Sequence, residues 1–329
     1  MSRNKVVGFI GLGTIGGPMA ANVQKAGYKL LVHDLNRDAA RRHLEHGAIW
    51  AESPRAIASQ ADVIFSSLPE PPDVEKVAVG PDGLIAGIKR GAAYFDLSTN
   101  SPVVVKKLNA AFAEKGAHML DAPVSGGWAG AESRKLAIWV GGEESVFQEH
   151  KAVLDAIGDK ATYIGPIGSA TVAKLVHNMS GCALVCALAE TFSMGVKAGV
   201  EPLALWQAVR QGIVGRRLTF DGLVERFLPG KYDPTAFALK LAHKDVTLAV
   251  GLGRELGVPM PMCDLALAEM TQALARGWGG RDSRIVMLLA QERAGVEIAV
   301  DPERLRKTLA AAVAKDDVNP AEAAGRSEI

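Results

Sequence analysis

The chain is poor in cysteine and lacks any cysteine pattern with an assigned chemistry. Its 329 residues include three cysteines, which cannot all pair with one another and do not have the spacing of metal ligands. Cys182 and Cys186 lie one helical turn apart and are interpreted as small buried apolar side chains. We therefore expect no disulfide framework, no metal site and a reducing, cytoplasmic location.

The chain also lacks an excess of charge and long apolar runs. Its 37 basic and 36 acidic residues give a net charge of +1, and the basic pairs are scattered rather than gathered on one face. Nucleic-acid binding usually needs such a basic face, so we expect no nucleic-acid partner. No run approaches about 18 uncharged apolar residues, and no apolar stretch with a cleavage site follows Met1. We therefore expect neither a membrane span nor a signal peptide.

What is present is a hydrophobic content of 48% in a chain long enough for about two domains. Short β-rich runs alternate with helical patterns in the first half, which predicts a doubly wound, parallel sheet with helices on both faces. The predicted strands are Lys5–Ile10, Lys29–His33, Val63–Ser67, Ala92–Leu97, His118–Asp121 and Leu136–Val140.

Beyond about residue 165 the pattern becomes almost wholly helical. A long helix is predicted over Thr171–Ala198, ended by Gly199 and followed by a helix that Pro202 begins. The predicted fold class is therefore α/β, with a Rossmann-type domain (1–165) followed by an all-helical domain (166–309) that is entered through this long helix. Residues 310–329 are predicted to form a flexible tail.

A hydrophobic strand followed by a glycine-rich turn predicts a nucleotide-binding site. The turn reads Gly11-Leu12-Gly13-Thr14-Ile15-Gly16 and leads directly into a helical pattern. In this motif the first glycine permits the tight turn, the second lets the backbone approach a pyrophosphate, and the third lets helix and strand pack closely. The helix N-terminus then offers free N–H groups to the phosphates.

Asp34 ends the next predicted strand, where an acidic residue bears on the choice of cofactor. Its carboxylate can accept hydrogen bonds from the ribose hydroxyls of adenosine and would repel a 2′-phosphate. Leu35 follows where an arginine would clamp that phosphate. We therefore expect NAD rather than NADP, although Arg37 lies near enough to keep NADP open.

Two further segments carry candidate chemistry. Ser125-Gly126-Gly127 follows a strand, and successive glycine amides can form an anion-binding concavity. Lys174 and Asn178 are four residues apart and share one face of the predicted long helix. Burial of a lysine lowers its pKa toward the range useful for proton exchange. Taken alone, the first segment is equally a glycine-rich turn, and a lysine at such a position more often extends to solvent.

Together these segments resemble the β-hydroxyacid dehydrogenases, the 3-hydroxyisobutyrate dehydrogenase group. The resemblance extends from Val6 to about Arg293. The blocks that carry it are the glycine-rich start with Gly17-Pro18-Met19-Ala20-Ala21-Asn22; Asp96-Leu97-Ser98-Thr99-Asn100-Ser101-Pro102; Asp121 to Gly127 with Gly130-Ala131; Gly168 to Asn178; and Phe237-Ala238-Leu239-Lys240-Leu241-Ala242-His243-Lys244-Asp245.

The resemblance implies a role for each matched residue. Lys174 would be the catalytic acid and base, and Asn178 would hydrogen-bond the substrate near its reacting hydroxyl. Ser125, Gly126 and Gly127 would hold the substrate carboxylate. The nicotinamide side would be lined by Leu68, Pro69 and Thr99, with Lys244 reaching the cofactor from the helical domain. The implied enzyme oxidises a small β-hydroxy acid as a homodimer or homotetramer.

Some positions depart from the family pattern. His177 stands where the family usually has Asn, and Lys-x-Val-His-Asn instead resembles the 6-phosphogluconate dehydrogenases, in which the histidine touches the substrate. His177 is therefore a substrate contact, a second proton carrier or a histidine satisfied within its helix. Trp128, Arg134 and Lys135 also depart from the pattern near the Ser-Gly-Gly segment. Arg216 and Arg217 are either solvated or contacts to a second acidic group.

Three alternatives stay open from the sequence. A 6-phosphogluconate dehydrogenase relative would need a phosphate clamp, and none is located. Imine reductases share the architecture but do not use the Lys-Asn pair in the same way. A non-catalytic NAD-binding protein would have no need to retain Lys174, Asn178 and Ser-Gly-Gly together.

Overall fold

The apolar segment at the start of the chain forms the central strand of a sheet, and the glycine-rich turn leads into a helix. The computed structural model describes residues 5–212, 221–255 and 260–316. The strands are β1 (Val6–Ile10), β2 (Lys29–His33), β3 (Ile49–Trp50), β4 (Val63–Ser66), β5 (Ala93–Asp96), β6 (His118–Asp121), β7 (Val124–Ser125), β8 (Ala137–Gly141) and β9 (Lys160–Gly165).

The sheet has the order β3-β2-β1-β4-β5-β6-β8-β7, with β9 beside β8. The predicted parallel arrangement is found from β3 to β6, whereas the other end of the sheet is mixed. β8 runs antiparallel to β6 and to β7, while β9 is parallel to β8. β6, β7 and β8 follow one another with only the short helix α6 (Gly127–Ser133) between β7 and β8, whereas a parallel connection needs a longer crossover.

Helices cover both faces of the sheet, as the alternating pattern predicts. Val7 and Phe9 of β1 belong to one buried cluster and Ile10 to the other, because successive strand residues point to opposite faces. On one face Phe9, Phe65 and Phe95 pair across β1, β4 and β5, with ring centroids 6.1 and 5.4 Å apart. The doubly wound Rossmann-type fold is confirmed.

The helices between the strands begin at recognisable residues. Pro102 opens α5 at a position where its missing N–H costs nothing, and the Ser101 hydroxyl accepts from Val103 N. The helices of this part are α1 (Gly16–Lys25), α2 (Arg41–Glu45), α3 (Pro54–Ala58), α4 (Pro71–Val79), α5 (Pro102–Glu114), α6 and α7 (Glu144–Ile157). Single 3₁₀ turns occupy Arg37–Ala40 and Leu84–Ala86.

The long helix predicted after residue 165 is present, and helices follow it throughout the described residues. The helices are α8 (Ser169–Lys197), α9 (Pro202–Gln211), α10 (Asp221–Val224), α11 (Leu239–Glu255), α12 (Pro261–Ala275), α13 (Met287–Ala294) and α14 (Pro302–Asp316). Two 3₁₀ turns, Trp278–Gly280 and Ser283–Val286, precede α13. The rings of Phe192 and Phe227 meet edge to face, with centroids 5.6 Å apart, and Trp206 is also buried.

The chain packs into two compact units, and each of them is built from two separate stretches of the sequence. The first unit holds residues 1–180 and 244–260, and the second holds residues 181–243 and 261–329. The first turns of α8 and most of α11 therefore belong with the sheet, while the predicted division near 165 coincides with the change from strands to helices. That division into domains stays a prediction. α14 runs to Asp316, so the predicted tail would begin inside a helix.

One helical segment in the described residues is long and apolar enough to cross a membrane by length and composition alone. It is Ser169–Ala189 of α8, with a hydropathy of 1.5. Core helices of soluble proteins pass the same test, and this segment includes Lys174, His177 and Asn178. The segment is therefore only weak support for a membrane span, and the expectation that the chain has no membrane span stays a prediction.

Candidate active site

The parallel strands bring the predicted cofactor loops to one edge of the sheet. β1, β4 and β5 are adjacent and parallel, so the loops after them lie together at their carboxyl ends. In open α/β sheets this edge is where ligands bind, near the point at which the strand order reverses. Every described residue discussed for the site below belongs to the first compact unit.

The glycine-rich loop has the geometry that a dinucleotide needs. Gly11 has a φ of 86°, and a Cβ there would lie 2.3 Å from the carbonyl oxygen of Ser67. A Cβ on Gly16 would lie 1.9 Å from the carbonyl oxygen of Gly11, whereas one on Gly13 would meet no described atom within 4 Å. Close packing therefore requires glycine at positions 11 and 16, whereas Gly13 borders open space. The loop Leu12-Gly13-Thr14-Ile15 therefore fits the approach of a pyrophosphate to its backbone.

Asp34 is tied to that loop at the end of β2. Its Oδ2 accepts a hydrogen bond of 2.6 Å from Leu12 N, and its Oδ1 accepts one of 2.8 Å from Asn36 N. Arg37 does not reach toward Asp34 but lies over the Trp50 ring, 5.3 Å from its centroid. The carboxylate is therefore fixed beside the glycine-rich loop.

The residues expected around the nicotinamide are brought together. The Ser98 hydroxyl accepts from Leu68 N at 2.9 Å, which links the loops after β4 and β5. The Lys244 amine donates to the carbonyl oxygens of Pro69 and Thr99, at 3.2 and 3.3 Å. Lys244 was expected to reach this place from the helical domain, and packing instead places residues 244–260 in the same unit as the sheet.

A buried polar network that sequence reasoning missed lies beneath these two loops. Asp96 is fully buried and accepts from Ser98 N, Ser66 Oγ and Asn100 Nδ2 at 3.1, 3.2 and 2.8 Å. Burial raises the pKa of Asp96, and burial followed by the charge of Asp96 raises the pKa of Tyr94. The network anchors the loop that carries Thr99. The Asp-x-Ser-x-Asn spacing after a strand was the available indication.

Asp121 connects the end of β6 to the beginning of α8. Its Oδ1 accepts from Gly168 N at 2.8 Å, and its Oδ2 accepts from Thr171 N at 2.6 Å and from the Thr171 hydroxyl at 2.8 Å. These bonds satisfy backbone N–H groups that the first turn of a helix leaves free. Lys174 follows Thr171 by three residues, so the bonds of Asp121 fix the position of the helical turn that carries the lysine.

Lys174 is partly buried on α8. Burial lowers the pKa of its amine, the charge of Lys244 lowers it further, and the charge of Asp245 raises it. The lysine therefore loses its proton more readily than a solvated one, which is the property expected of a proton-transfer residue.

His177 joins the predicted carboxylate cradle to α8. Its Nε2 lies 3.0 Å from the Ser125 hydroxyl, and its ring lies 5.4 Å from that of Trp139. Burial, and then the charge of Lys174, lower the pKa of His177. Sequence reasoning gave no indication of Trp139, because a tryptophan in a strand usually belongs to a core.

Gly126 and Gly127 have φ values of 137° and 62°, so the turn after Ser125 suits glycine. Trp128 beside it is 52% exposed. Arg134 ends α6 in a left-handed conformation, with a φ of 60°, and donates to the carbonyl oxygen of Asp155. Arg216 and Arg217 lie outside the described residues.

Asn178 has a partner that sequence reasoning did not single out. Its Nδ2 donates to Oδ2 of Asp245 at 2.5 Å. Asp245 follows Lys244 on α11 and is 3% exposed. Lys174, Asn178 and the pair Lys244-Asp245 thus form one polar group where α8 and α11 meet. Among the described residues, no group of three or more His, Cys, Asp or Glu side chains could hold a metal ion.

Two family models match the chain in succession. A model described as the NAD binding domain of 6-phosphogluconate dehydrogenase matches residues 6–165. A model described as NAD-binding of NADP-dependent 3-hydroxyisobutyrate dehydrogenase matches residues 168–290. The two models cover both the strand-rich and the helical parts of the chain.

Curated relatives and solved structures match over most of their length. The chain is 35% identical to 2-(hydroxymethyl)glutarate dehydrogenase of Eubacterium barkeri over 300 residues, which cover 91% of this chain and 99% of that one. It is 35% identical to the NAD-dependent L-serine dehydrogenase of Pseudomonas aeruginosa, over 87% and 97% of the two chains. The 3-hydroxyisobutyrate dehydrogenase of Mycobacterium tuberculosis, solved with L-serine, superposes with a TM-score of 0.79 at 27% identity, over 87% and 99%.

Proposed function

We propose, from the premise that the chain belongs to the β-hydroxyacid dehydrogenase family, that it oxidises a small β-hydroxy acid with NAD and uses Lys174 as acid and base. Its membership makes it an NAD(P)-dependent dehydrogenase that acts on the hydroxyl group of a hydroxy acid. The observation that carries the finer proposal is the partly buried Lys174 amine, one helical turn before His177 and Asn178.

The proton moves through Lys174 in this proposal. The neutral amine takes the proton of the substrate hydroxyl, and the carbon that bears the hydroxyl becomes a carbonyl carbon. The nicotinamide, when bound, supplies the acceptor for the hydride that leaves the same carbon. Because burial lowers the pKa of Lys174, a larger fraction of its amine is neutral at a given pH than for a solvated lysine. The reverse reduction uses the protonated amine.

Substrate orientation is assigned to the two ends of the site. The Ser125 hydroxyl and the backbone of Gly126 and Gly127 hold the carboxylate, and Asn178 contacts the reacting hydroxyl. A serine hydroxyl has one proton, so Ser125 can donate it to a carboxylate only while it accepts from His177. We therefore assign the Nε2–H tautomer to His177 in the substrate complex.

The named substrates of the relatives share a chemical core. 2-(Hydroxymethyl)glutarate, L-serine and 3-hydroxyisobutyrate all have a primary hydroxyl one carbon away from the carbon that bears the carboxylate. They differ in the third group on the middle carbon. We propose a substrate with this core, whose third group faces Trp128 and His177.

NAD is proposed over NADP on the arrangement around β2. The Asp34 carboxylate, fixed by Leu12 N and Asn36 N, is an acceptor for ribose hydroxyls and repels a 2′-phosphate. Arg37, the residue that would favour NADP, instead stacks on Trp50. The glycine loop fits either cofactor.

The alternative is a 6-phosphogluconate dehydrogenase-like activity. The Lys-x-Val-His-Asn segment and the contact of His177 with Ser125 favour it. Including 6-phosphogluconate in the substrate panel separates the two proposals, because the alternative activity both oxidises this substrate and releases carbon dioxide from it.

The decisive experiment follows NADH absorbance with a panel of hydroxy acids for the wild type and for Lys174→Ala. The panel contains 3-hydroxyisobutyrate, serine, glycerate, threonate, 3-hydroxypropionate, 2-(hydroxymethyl)glutarate and 6-phosphogluconate. Without its proton acceptor the variant should lose about 10²–10⁴-fold in kcat while its Kd for NAD is largely kept.

The matched control is Lys197→Ala, an exposed lysine in the last turn of the same helix. It should leave both kcat and the Kd for NAD unchanged. Substantial turnover by Lys174→Ala on the best substrate would contradict the role of this lysine. Oxidation of no hydroxy acid by the wild type would contradict the proposed function as a whole.

The three cysteines of the chain, Cys182, Cys186 and Cys263, are too few for a disulfide framework, which suits the cytoplasm. We propose that the enzyme works there as a homodimer or homotetramer.

A further inference from the structure

Asp245 is a buried carboxylate for which the mechanism above has no use. It is 3% exposed, and its Oδ2 accepts from Asn178 Nδ2 at 2.5 Å. Its Oδ1 is buried and lies 2.8 Å from the Lys244 amine, with which it forms an ion pair. The Lys244 amine also donates to the carbonyl oxygens of Pro69 and Thr99, at 3.2 and 3.3 Å.

Such an arrangement has an energetic cost. A buried charge is costly unless it is paired and hydrogen-bonded, and breaking such a pair destabilises a protein more than replacing it. The pair of Asp245 with Lys244 is weak evidence for a role in stability, because replacing such a pair by apolar side chains is often neutral. Electrostatic control of a neighbouring reactive group is the usual alternative explanation.

The contact with Asn178 fixes which way its amide points. A carboxylate oxygen only accepts, so the amide nitrogen of Asn178 must face Asp245. The amide oxygen and the second N–H of the amide then remain for the reacting groups. The oxygen can accept from the protonated Lys174, one helical turn away, and the N–H can donate to the substrate oxygen.

We propose that Asp245 is a positioning residue of this enzyme: its carboxylate orients the Asn178 amide and supplies the negative charge that lets Lys174 hold a proton. This inference rests on the proposed role of Lys174. It assigns to Asp245 no contact with substrate or cofactor.

The charges around Lys174 support this role. From α11, Asp245 raises the pKa of the lysine and Lys244 lowers it, and both act against the background of burial, which lowers it most. On α8 itself, His177 is the titratable neighbour that feels the charge of Lys174. Two adjacent residues of one helix thus act in opposite directions. A lysine that must both take and return a proton needs such a balance.

The test compares Asp245→Asn with Lys244→Met. In the oxidation direction Lys174 must be neutral, so kcat/KM rises with pH through its pKa. Asp245→Asn keeps the shape of the side chain but removes the charge, and the rising limb should move to lower pH by about one unit. Lys244→Met removes the opposing charge, and the limb should move to higher pH. Asp245→Glu, which restores the charge, should return the limb toward its wild-type position.

A second measurement does not depend on turnover. Reductive methylation with ¹³C-formaldehyde labels the lysines of the NAD-bound protein, and the resonance of Lys174 is identified by its loss in Lys174→Ala. Its NMR titration midpoint should fall in Asp245→Asn and rise in Lys244→Met. Because the two variants are expected to shift in opposite directions, a general loss of folding cannot imitate the result.

The outcomes separate this inference from the proposed function. If the wild type oxidises hydroxy acids and neither midpoint moves, Asp245 has no such role while the function stands. Shifts of the same sign in both variants would also overturn it. If the wild type oxidises no hydroxy acid, the proposed function fails, and the NMR titration alone decides whether Asp245 controls the proton of Lys174.

Discussion

Carboxylates at the ends of strands and helices set the chemistry of this protein at the scale of single residues. Asp34 and Asp121 each accept hydrogen bonds from backbone N–H groups of a segment distant in the chain, and Asp96 accepts one from Ser98 N in its own loop. Each therefore fixes a loop or the start of a helix through the bonds that its carboxyl oxygens accept. Of the three, Asp34 bears on the cofactor.

For the cofactor, we expect the wild type to show a kcat/KM at least about tenfold higher with NAD than with NADP, the effect of about 1.4 kcal/mol. Asp34→Asn keeps the size of the side chain and one acceptor oxygen but removes the charge that repels a 2′-phosphate. The preference should shrink because NAD is used less well and NADP better. Initial rates with both cofactors measure it.

Asp38→Asn is the matched control, since Asp38 is an exposed carboxylate four residues further on. It should leave the preference unchanged. A wild type that prefers NADP, or an Asp34→Asn variant with the wild-type ratio, would contradict the role of Asp34.

At the scale of elements, the decisive feature is the connection between β6 and α8. The long helix was predicted over Thr171–Ala198 and is found at Ser169–Lys197, because apolar composition and the flanking glycines determine a helix locally. Its anchoring by Asp121, 47 to 50 residues earlier in the chain, is a tertiary contact. Three strands were missed. β3 and β7 have only two residues each, too few to carry a periodicity, and β9 (Lys160–Gly165) was missed at the change to the helical pattern.

We expect Asp121→Asn to destabilise the protein by about 2–4 kcal/mol, because an amide NH₂ would face backbone donors that now meet an ionised oxygen. It should also lower kcat, since Lys174 depends on the position of the first turn of α8. Urea unfolding and initial rates measure the two effects.

Thr171→Val provides the comparison, because it removes only the hydroxyl that donates to Asp121. Its effect on the free energy of unfolding should be about 1 kcal/mol. An Asp121→Asn variant as stable and as active as the wild type would show that α8 is held in place by its packing alone.

At the scale of the whole molecule, a single copy of the chain exposes apolar side chains of α8 to solvent. Val176 is 60% exposed and Leu184 is 42% exposed. Covering such residues with a second copy removes apolar surface from water, which favours association. This agrees with the homo-oligomer that the family resemblance implies.

We expect size-exclusion chromatography with light scattering to give two or four times the chain mass of 34.6 kDa. Val176→Lys should shift the population toward smaller species, because it places a charge where an apolar contact is expected. The exposed Lys197→Ala variant should keep the wild-type mass. A wild type that elutes only at 34.6 kDa at micromolar concentration would contradict the expectation.

The sequence alone determined the parts of this protein that depend on local patterns. The glycine-rich loop, Asp34 and the family resemblance follow from residues whose spacing is read along one strand, turn or helix. The same holds for Lys174 and Asn178, because four residues on a helix always share a face.

Tertiary structure decided which residues surround these groups. The antiparallel β8, the bond from Ser66 to Asp96, and the placement of Asp245 against Asn178 join residues that are distant in the chain. No local pattern encodes them, because a buried carboxylate acquires its role only from the donors and charges that folding brings to it.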